Sequence, residues 1–226
     1  MTVPNSPPRV DPGAFRLALV GESPGLEEAS WRRCRSGHYF AGEAWEDGRH
    51  FLRDYCPQCS SRDWVPAPTP FVGPSGRLLG ALLHDLELPR ERFFFGNVCQ
   101  EMATGALLES PDYPPLVAGL AQLRTDLEAF RPNCVLLLGA SALRAFHPGG
   151  WERGDKREFC VKITDWRGSI FAGRPELPWK CVAAFHPAHC LRQPEWTPML
   201  RFDLERAVEE ASSDKLELPE RNIEMP

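Results

Sequence analysis

No run of apolar residues in this 226-residue chain approaches the ~20 that a membrane-spanning helix needs, so no membrane partner is expected. The opening segment, MTVPNSPPRVDPG, has no apolar h-region and predicts a flexible leader over 1–13 rather than a secretory signal. No Gly-rich loop of the P-loop or dinucleotide type occurs, and no Ser-His-Asp elbow, which sets those nucleotide sites and serine hydrolysis aside. Internal repeats are missing as well. An excess of basic charge is also lacking: the formal net charge of −5 argues against a general polyanion binder, although a local basic patch can sit inside an acidic total. Eight cysteines without an export signal point to a reducing, cytoplasmic compartment. Thiols there serve as buried small hydrophobes, metal ligands or nucleophiles, and their spacing has to decide which.

What is present is a globular core, since 42% of the residues are hydrophobic. Residues 14–21 predict a strand ending in Gly21-Glu22-Ser23-Pro24-Gly25. Helices are expected over 75–86 and 114–130, the second with Leu116, Leu120, Leu123 and Leu127 on one face. Phe93–Phe95 lead a short strand into Gly96-Asn97-Val98. CVLLLG (134–139) is an apolar strand followed by the helix start ASALRAF. KITDWRGSIF predicts one or two further strands, CVAAFHP (181–187) the last buried strand, and 195–211 a final helix before a flexible polar tail over 212–226. Strands that are apolar throughout and alternate with helices predict an α/β fold, a three-layer α/β/α sandwich with a mainly parallel central sheet. The expected organisation is one domain over 14–211 with an inserted block at 30–67.

Ligands bind such sheets where the carboxyl ends of strands emerge. Three strands end there in loaded residues: Glu22, Asn97 and His186. Each has a plainer reading alone: a solvated acid, a turn residue, a polar strand terminus. Phe71 could be core, and the GPSG turn at 73–76 only a helix start. Their common end of the sheet gives them weight together.

The stretches GESPG, PFVGPSGRLL, GNV and HPAHCLR resemble the uracil-DNA glycosylase superfamily, especially its bacterial and archaeal iron–sulfur branch. That resemblance implies an enzyme that hydrolyses the N-glycosidic bond of a flipped uracil or modified pyrimidine in DNA. By the same resemblance Glu22 and His186 are catalytic, and Ser23, Glu28, Phe71 and Asn97 bind the base, though Glu28 could equally be a solvated acid. Gly73, Ser75 and Gly76 are implied to meet a phosphate, and Pro187, Leu191 and Arg192 to form the wedge that fills the gap. Ala188 stands where the family has a serine, removing a phosphate contact. DNA is the expected partner of a monomeric protein. A catalytically weak DNA- or abasic-site-binding member and a small-molecule nucleosidase are the competing readings.

The cysteines depart from that branch. Its N-terminal Cys-x-x-Cys is absent, Cys99 falls only two residues after Asn97, and the helix at 114–130 has no cysteine, so no iron–sulfur cluster is expected. Instead Cys34-x3-His38 followed by Cys56-x2-Cys59 has the ligand types and pairing of a structural zinc site, with His50 as the rival fourth ligand. Cys134, Cys160, Cys181 and Cys190 are expected as buried thiols. The block joins the Glu22 loop to Phe71, so it should lie beside the pocket. There it would either contact DNA or widen the pocket for a larger base, as in foreign DNA.

Overall fold

The computed structural model describes residues 2–46, 48–154, 158–213 and 215. In chain order, β1 (Leu17–Gly21) and α1 (Leu26–Ala29) precede the inserted block. The block folds as β2 (Trp31–Cys34), β3 (Tyr39–Ala41), β4 (Glu43–Glu46), β5 (Arg49–Leu52) and β6 (Trp64–Pro66). Then come α2 (Pro74–Asp85), β7 (Phe94–Asn97), α3 (Pro114–Phe130), β8 (Cys134–Leu138) and α4 (Ala140–Phe146). The last elements are α5 (Ile163–Trp166), β9 (Ile170–Ala172), β10 (Lys180–Ala184), α6 (Pro187–Arg192) and α7 (Thr197–Glu210).

The central sheet has the order β7-β1-β8-β10-β9; the first four strands run parallel and β9 antiparallel. Every residue of β1, β8 and β10 is buried, as a sheet covered on both faces requires. Successive side chains take opposite faces. Leu137 joins Val20, Phe94, Leu116, Leu123 and Leu127, while Leu136 joins Leu17, Leu19, Leu79, Leu83, Leu200 and Leu204. Helix α3 therefore packs on one face and α2 and α7 on the other, giving the three-layer sandwich. Each such fully buried leucine contributes roughly 2 kcal/mol.

Several local expectations are corrected. The stretch 163–166 is a helical turn, not a strand, because Trp166 N–H and Arg167 N–H bond back to Lys162 and Ile163. Gly168 follows at φ +72°; Arg167 makes an isolated parallel bridge to Ala183, and β9 is the one strand of the stretch, pairing antiparallel with β10 at the sheet edge. HPAHCLR is helical, with Pro187 opening α6 and His186 as its cap. Cys160 is exposed, whereas Cys134, Cys181 and Cys190 are buried.

The sequence predicts a flexible leader at the start of the chain. Instead residues 2–10 lie along edge strand β7, with Ser6 bridged to Phe95, Thr2 bridged to Glu101 and Val3 buried. Most of the tail over 212–226 lies outside the described residues. The inserted block, which shows no periodicity in sequence, forms a small sheet of order β3-β2-β6 and a β4-β5 hairpin. Among the described residues its own core cluster is Cys34, Phe40 and Cys56 with Trp64 packed against them.

Candidate active site and metal centre

Two strand-end glycines form the floor of the site. A Cβ on Gly21, the last residue of β1, would lie 2.6 Å from Phe71 Cζ and 2.7 Å from Asn97 Oδ1. Only glycine lets that ring and that carboxamide meet over the strand end. Gly139, between β8 and α4, has φ +98°, and a Cβ there would lie 2.6 Å from Glu22 Oε1 and 3.0 Å from His186 Cβ. Because β8 runs between β1 and β10, its terminal glycine separates the acid of one neighbour from the imidazole of the other.

Glu22 Oε1 accepts the Ser141 backbone N–H at 3.0 Å. His186 Nδ1 accepts the Ala188 N–H at 3.1 Å, so a neutral ring carries its proton on Nε2. Burial pushes the His186 pKa below the ordinary histidine value; Glu22 opposes that shift and Arg192 adds to it. The imidazole is thereby a neutral donor. A cavity of about 740 Å³ joins Glu22, Phe71, Asn97 and His186, with Ser23, Glu28, Gly73, Ser75 and Arg192 also on its wall.

Glu28 is buried rather than solvated. Its carboxylate accepts the Gly25 N–H at 2.9 Å and bonds the backbone of Phe71 and Gly73. Burial raises its pKa, while those backbone bonds and Arg90 oppose the rise. Glu28 thus latches α1 to the turn that carries Phe71, a residue held at φ +55°. Ser23 Oγ donates to Ala103 O at 3.1 Å.

The residues expected to meet DNA divide. The Gly73 backbone is engaged by Glu28, and Gly76 is buried against the Phe71 carbonyl, which a Cβ would approach to 1.9 Å. Gly76 is a packing requirement and does not line the cavity; Ser75 does. Pro187 is buried, Leu191 is 46% exposed, and Arg192 stands at the cavity wall.

Sequence reasoning missed Gly139 and Ser141 as site residues. The signal was the glycine that ends CVLLLG, whose importance depends on β8 lying between β1 and β10. It also missed Ile163, Thr164, Phe185, His189, Gln193 and Trp196, which line the same cavity.

In the inserted block, one donor atom from each of Cys34, His38, Cys56 and Cys59 lies within 4.8 Å of the others. Cys34 Sγ is 3.6 Å from Cys59 Sγ, and Cys56 Sγ is 3.8 Å from His38 Nδ1. Those separations suit the edges of a tetrahedron whose metal bonds are about 2.0–2.3 Å. The Ser61 backbone N–H, with His38 and Ser36, lowers the Cys59 thiol to about 6, toward the thiolate a metal requires. The four residues could hold a metal ion. His50 is not among them: it lies in the β4-β5 hairpin with Nε2 3.4 Å from Glu43 Oε2. Among the described residues no second cysteine and histidine group of this kind is drawn together.

A mainly parallel sheet covered on both faces, with an acid, an imidazole, an aromatic ring and a carboxamide at its strand ends, defines the class as an α/β protein with a strand-end site. The chain matches the uracil-DNA glycosylase superfamily over residues 7–210 and belongs to it. It is also similar to a Type-4 uracil-DNA glycosylase from Thermotoga maritima, 28% identical over 127 residues, which cover 54% of this chain and 57% of that protein. The chain spans little more than half the length of that curated relative.

Proposed function

We propose that the protein is a DNA glycosylase that hydrolyses the N-glycosidic bond of a pyrimidine flipped out of DNA. The observation that carries this reading is the placement of Glu22 and His186 on either side of Gly139, with Phe71 and Asn97 over Gly21. Heterolysis of the bond leaves its electron pair on the base and positive charge on the sugar. His186 Nε2–H donates to the base O2 as it becomes anionic, and the Glu22 carboxylate faces the sugar cation. Water then attacks the anomeric carbon, and its proton passes to Glu22. Donors fixed where charge develops supply the largest catalytic contribution of this kind. Phe71 stacks on the base and the Asn97 amide reads its Watson–Crick edge.

Replacing Glu22 or His186 by alanine is expected to slow single-turnover excision by ~10²–10³-fold while leaving DNA binding intact, because each acts on the transition state. Unchanged rates in both variants would place the chemistry elsewhere.

For the substrate, uracil and pyrimidines enlarged at the ring are both in scope. The same cavity of about 740 Å³ is also lined by Phe185, His189 and Trp196, a volume with room for a base larger than uracil. This supports excision of modified bases, including those of foreign DNA. For the metal we propose structural zinc on Cys34, His38, Cys56 and Cys59, and no iron–sulfur cluster. Bound zinc would supply folding free energy to a block with too small an apolar core of its own.

A further inference from the structure

β7 is one of the two edge strands of the central sheet, so alternate residues direct their backbone groups away from β1. The N-terminal arm meets them. Ser6 N–H donates to Phe95 O at 2.7 Å, and Phe95 N–H donates to Ser6 O at 2.9 Å. Two residues on, at Asn97, the side chain of Asn5 reaches in. Its Oδ1 accepts the Asn97 N–H at 3.2 Å and Gln100 Nε2 at 3.4 Å. Its Nδ2 donates to Asp126 Oδ2 at 2.7 Å.

A carboxylate can only accept, so Asp126 fixes which end of the Asn5 amide faces Asn97. Gln122 holds the other Asp126 oxygen at 2.8 Å. Gln100 Nε2 also donates to Asn97 O, at 2.7 Å, so side chains bind both backbone polar groups of Asn97. Gly96 makes the approach possible, since a Cβ there would lie 2.6 Å from Asn5 Oδ1. Burial of Val3 and its N–H bond to Gln100 O, at 2.8 Å, pin the arm on the far side of Asn5.

We propose that Asn5 is a specificity-determining positioning residue: the arm fixes the Asn97 peptide, and with it the angle at which the Asn97 carboxamide meets the base. The inference rests on the reading of Asn97 as the side chain that inspects the base edge. Hydrogen bonds weaken steeply as their angle opens. A loosened Asn97 therefore loses the difference between bases before it loses binding, because phosphate contacts carry most of the affinity for DNA.

The test measures single-turnover excision on duplexes carrying uracil, cytosine or 5-hydroxymethylcytosine, together with melting temperature and affinity for an abasic duplex. Asn5→Ala removes all three side-chain contacts, to Asn97 N–H, Gln100 and Asp126. Asn5→Asp sets a second carboxylate against Asp126, and the double exchange Asn5→Asp with Asp126→Asn swaps donor and acceptor across the same contact. That exchange leaves an acceptor for the Asn97 N–H. Both single variants at position 5 are expected to lower the rate ratio between the preferred base and the next by about ten-fold. The double exchange restores the ratio, and abasic-duplex affinity is unchanged throughout.

Asn97→Ala is run in parallel. If it lowers the ratio and Asn5→Ala does not, the inference about Asn5 fails alone. If Asn97→Ala leaves the ratio unchanged, the reading of Asn97 fails and this inference with it. A loss in Asn5→Ala that is equal for every base, follows the melting temperature and is not repaired by the double exchange marks a purely structural role, and also overturns it.

Discussion

His186 gains its chemistry from one backbone N–H. With Nδ1 accepting from Ala188, the neutral ring presents Nε2–H to the cavity; a protonated ring would turn a second N–H toward the Ala188 donor. Burial acts in the same direction, and both favour the neutral form. The sign of the pH dependence follows. The folded-state pKa lies below the unfolded value of about 6.5, so the unfolded chain binds more protons in the window between them. The stability contributed by the neutral ring is complete above that window and is lost as pH falls through it. Excision should accordingly be flat from neutrality down past pH ~6.5, with its acid limb below that value. A single-turnover pH–rate profile checks this; a rate that rises as pH falls through ~6.5 would mean that the ring works in its charged form.

The short elements around the pocket depend on one buried acid. Glu28, in the last turn of α1, binds the backbone of Gly25, Phe71 and Gly73 and so joins two loops distant in sequence. An amide offers one acceptor where the carboxylate offers two, and turns an NH2 toward backbone donors. Glu28→Gln should therefore lower the melting temperature by several degrees, for a loss of about 1–2 kcal/mol. It should also raise KM for DNA more than it lowers the single-turnover rate, because Phe71 is displaced while Glu22 and His186 are not. Equal losses in both would mean that α1 supports Glu22 directly. Legibility in the sequence followed the same division. The buried strands and α3 were readable because apolar runs and helical spacing follow from local chemistry, and Glu22, Asn97 and His186 followed from where those strands end. Glu28 stayed ambiguous and Gly139 unnoticed because each matters through a neighbour brought near only by strand order. Arm residues 2–10 read as disordered because their pairing is supplied by β7, some ninety residues away in the chain.

At the scale of the whole molecule two unequal bodies share one chain. The sandwich buries two large clusters on either side of its sheet, whereas the inserted block buries Cys34, Phe40 and Cys56. Apolar burial on that scale holds the sandwich but not the block, for which a structural zinc could supply on the order of 10 kcal/mol. Chelation, or Cys56→Ser, should then melt the block while the sandwich stays folded. Hydrogen exchange is the measurement: amides of β2, β3 and β6 should lose protection and those of β1, β8 and β10 keep it. The damage should also reach the pocket by a definable route. Strands β2 and β6 pair antiparallel, Ala67 N–H bonds Trp31 O at 2.8 Å, and Thr69 N–H bonds Glu28 O at 3.2 Å. The block therefore closes on the residue that latches the Phe71 turn. Metal removal should raise KM for DNA in the manner of Glu28→Gln, and combining the two should give less than the sum of their effects, since both act through the same turn. Full additivity would show that the block meets DNA on its own account, and one cooperative transition for the entire chain would show that it is part of the core.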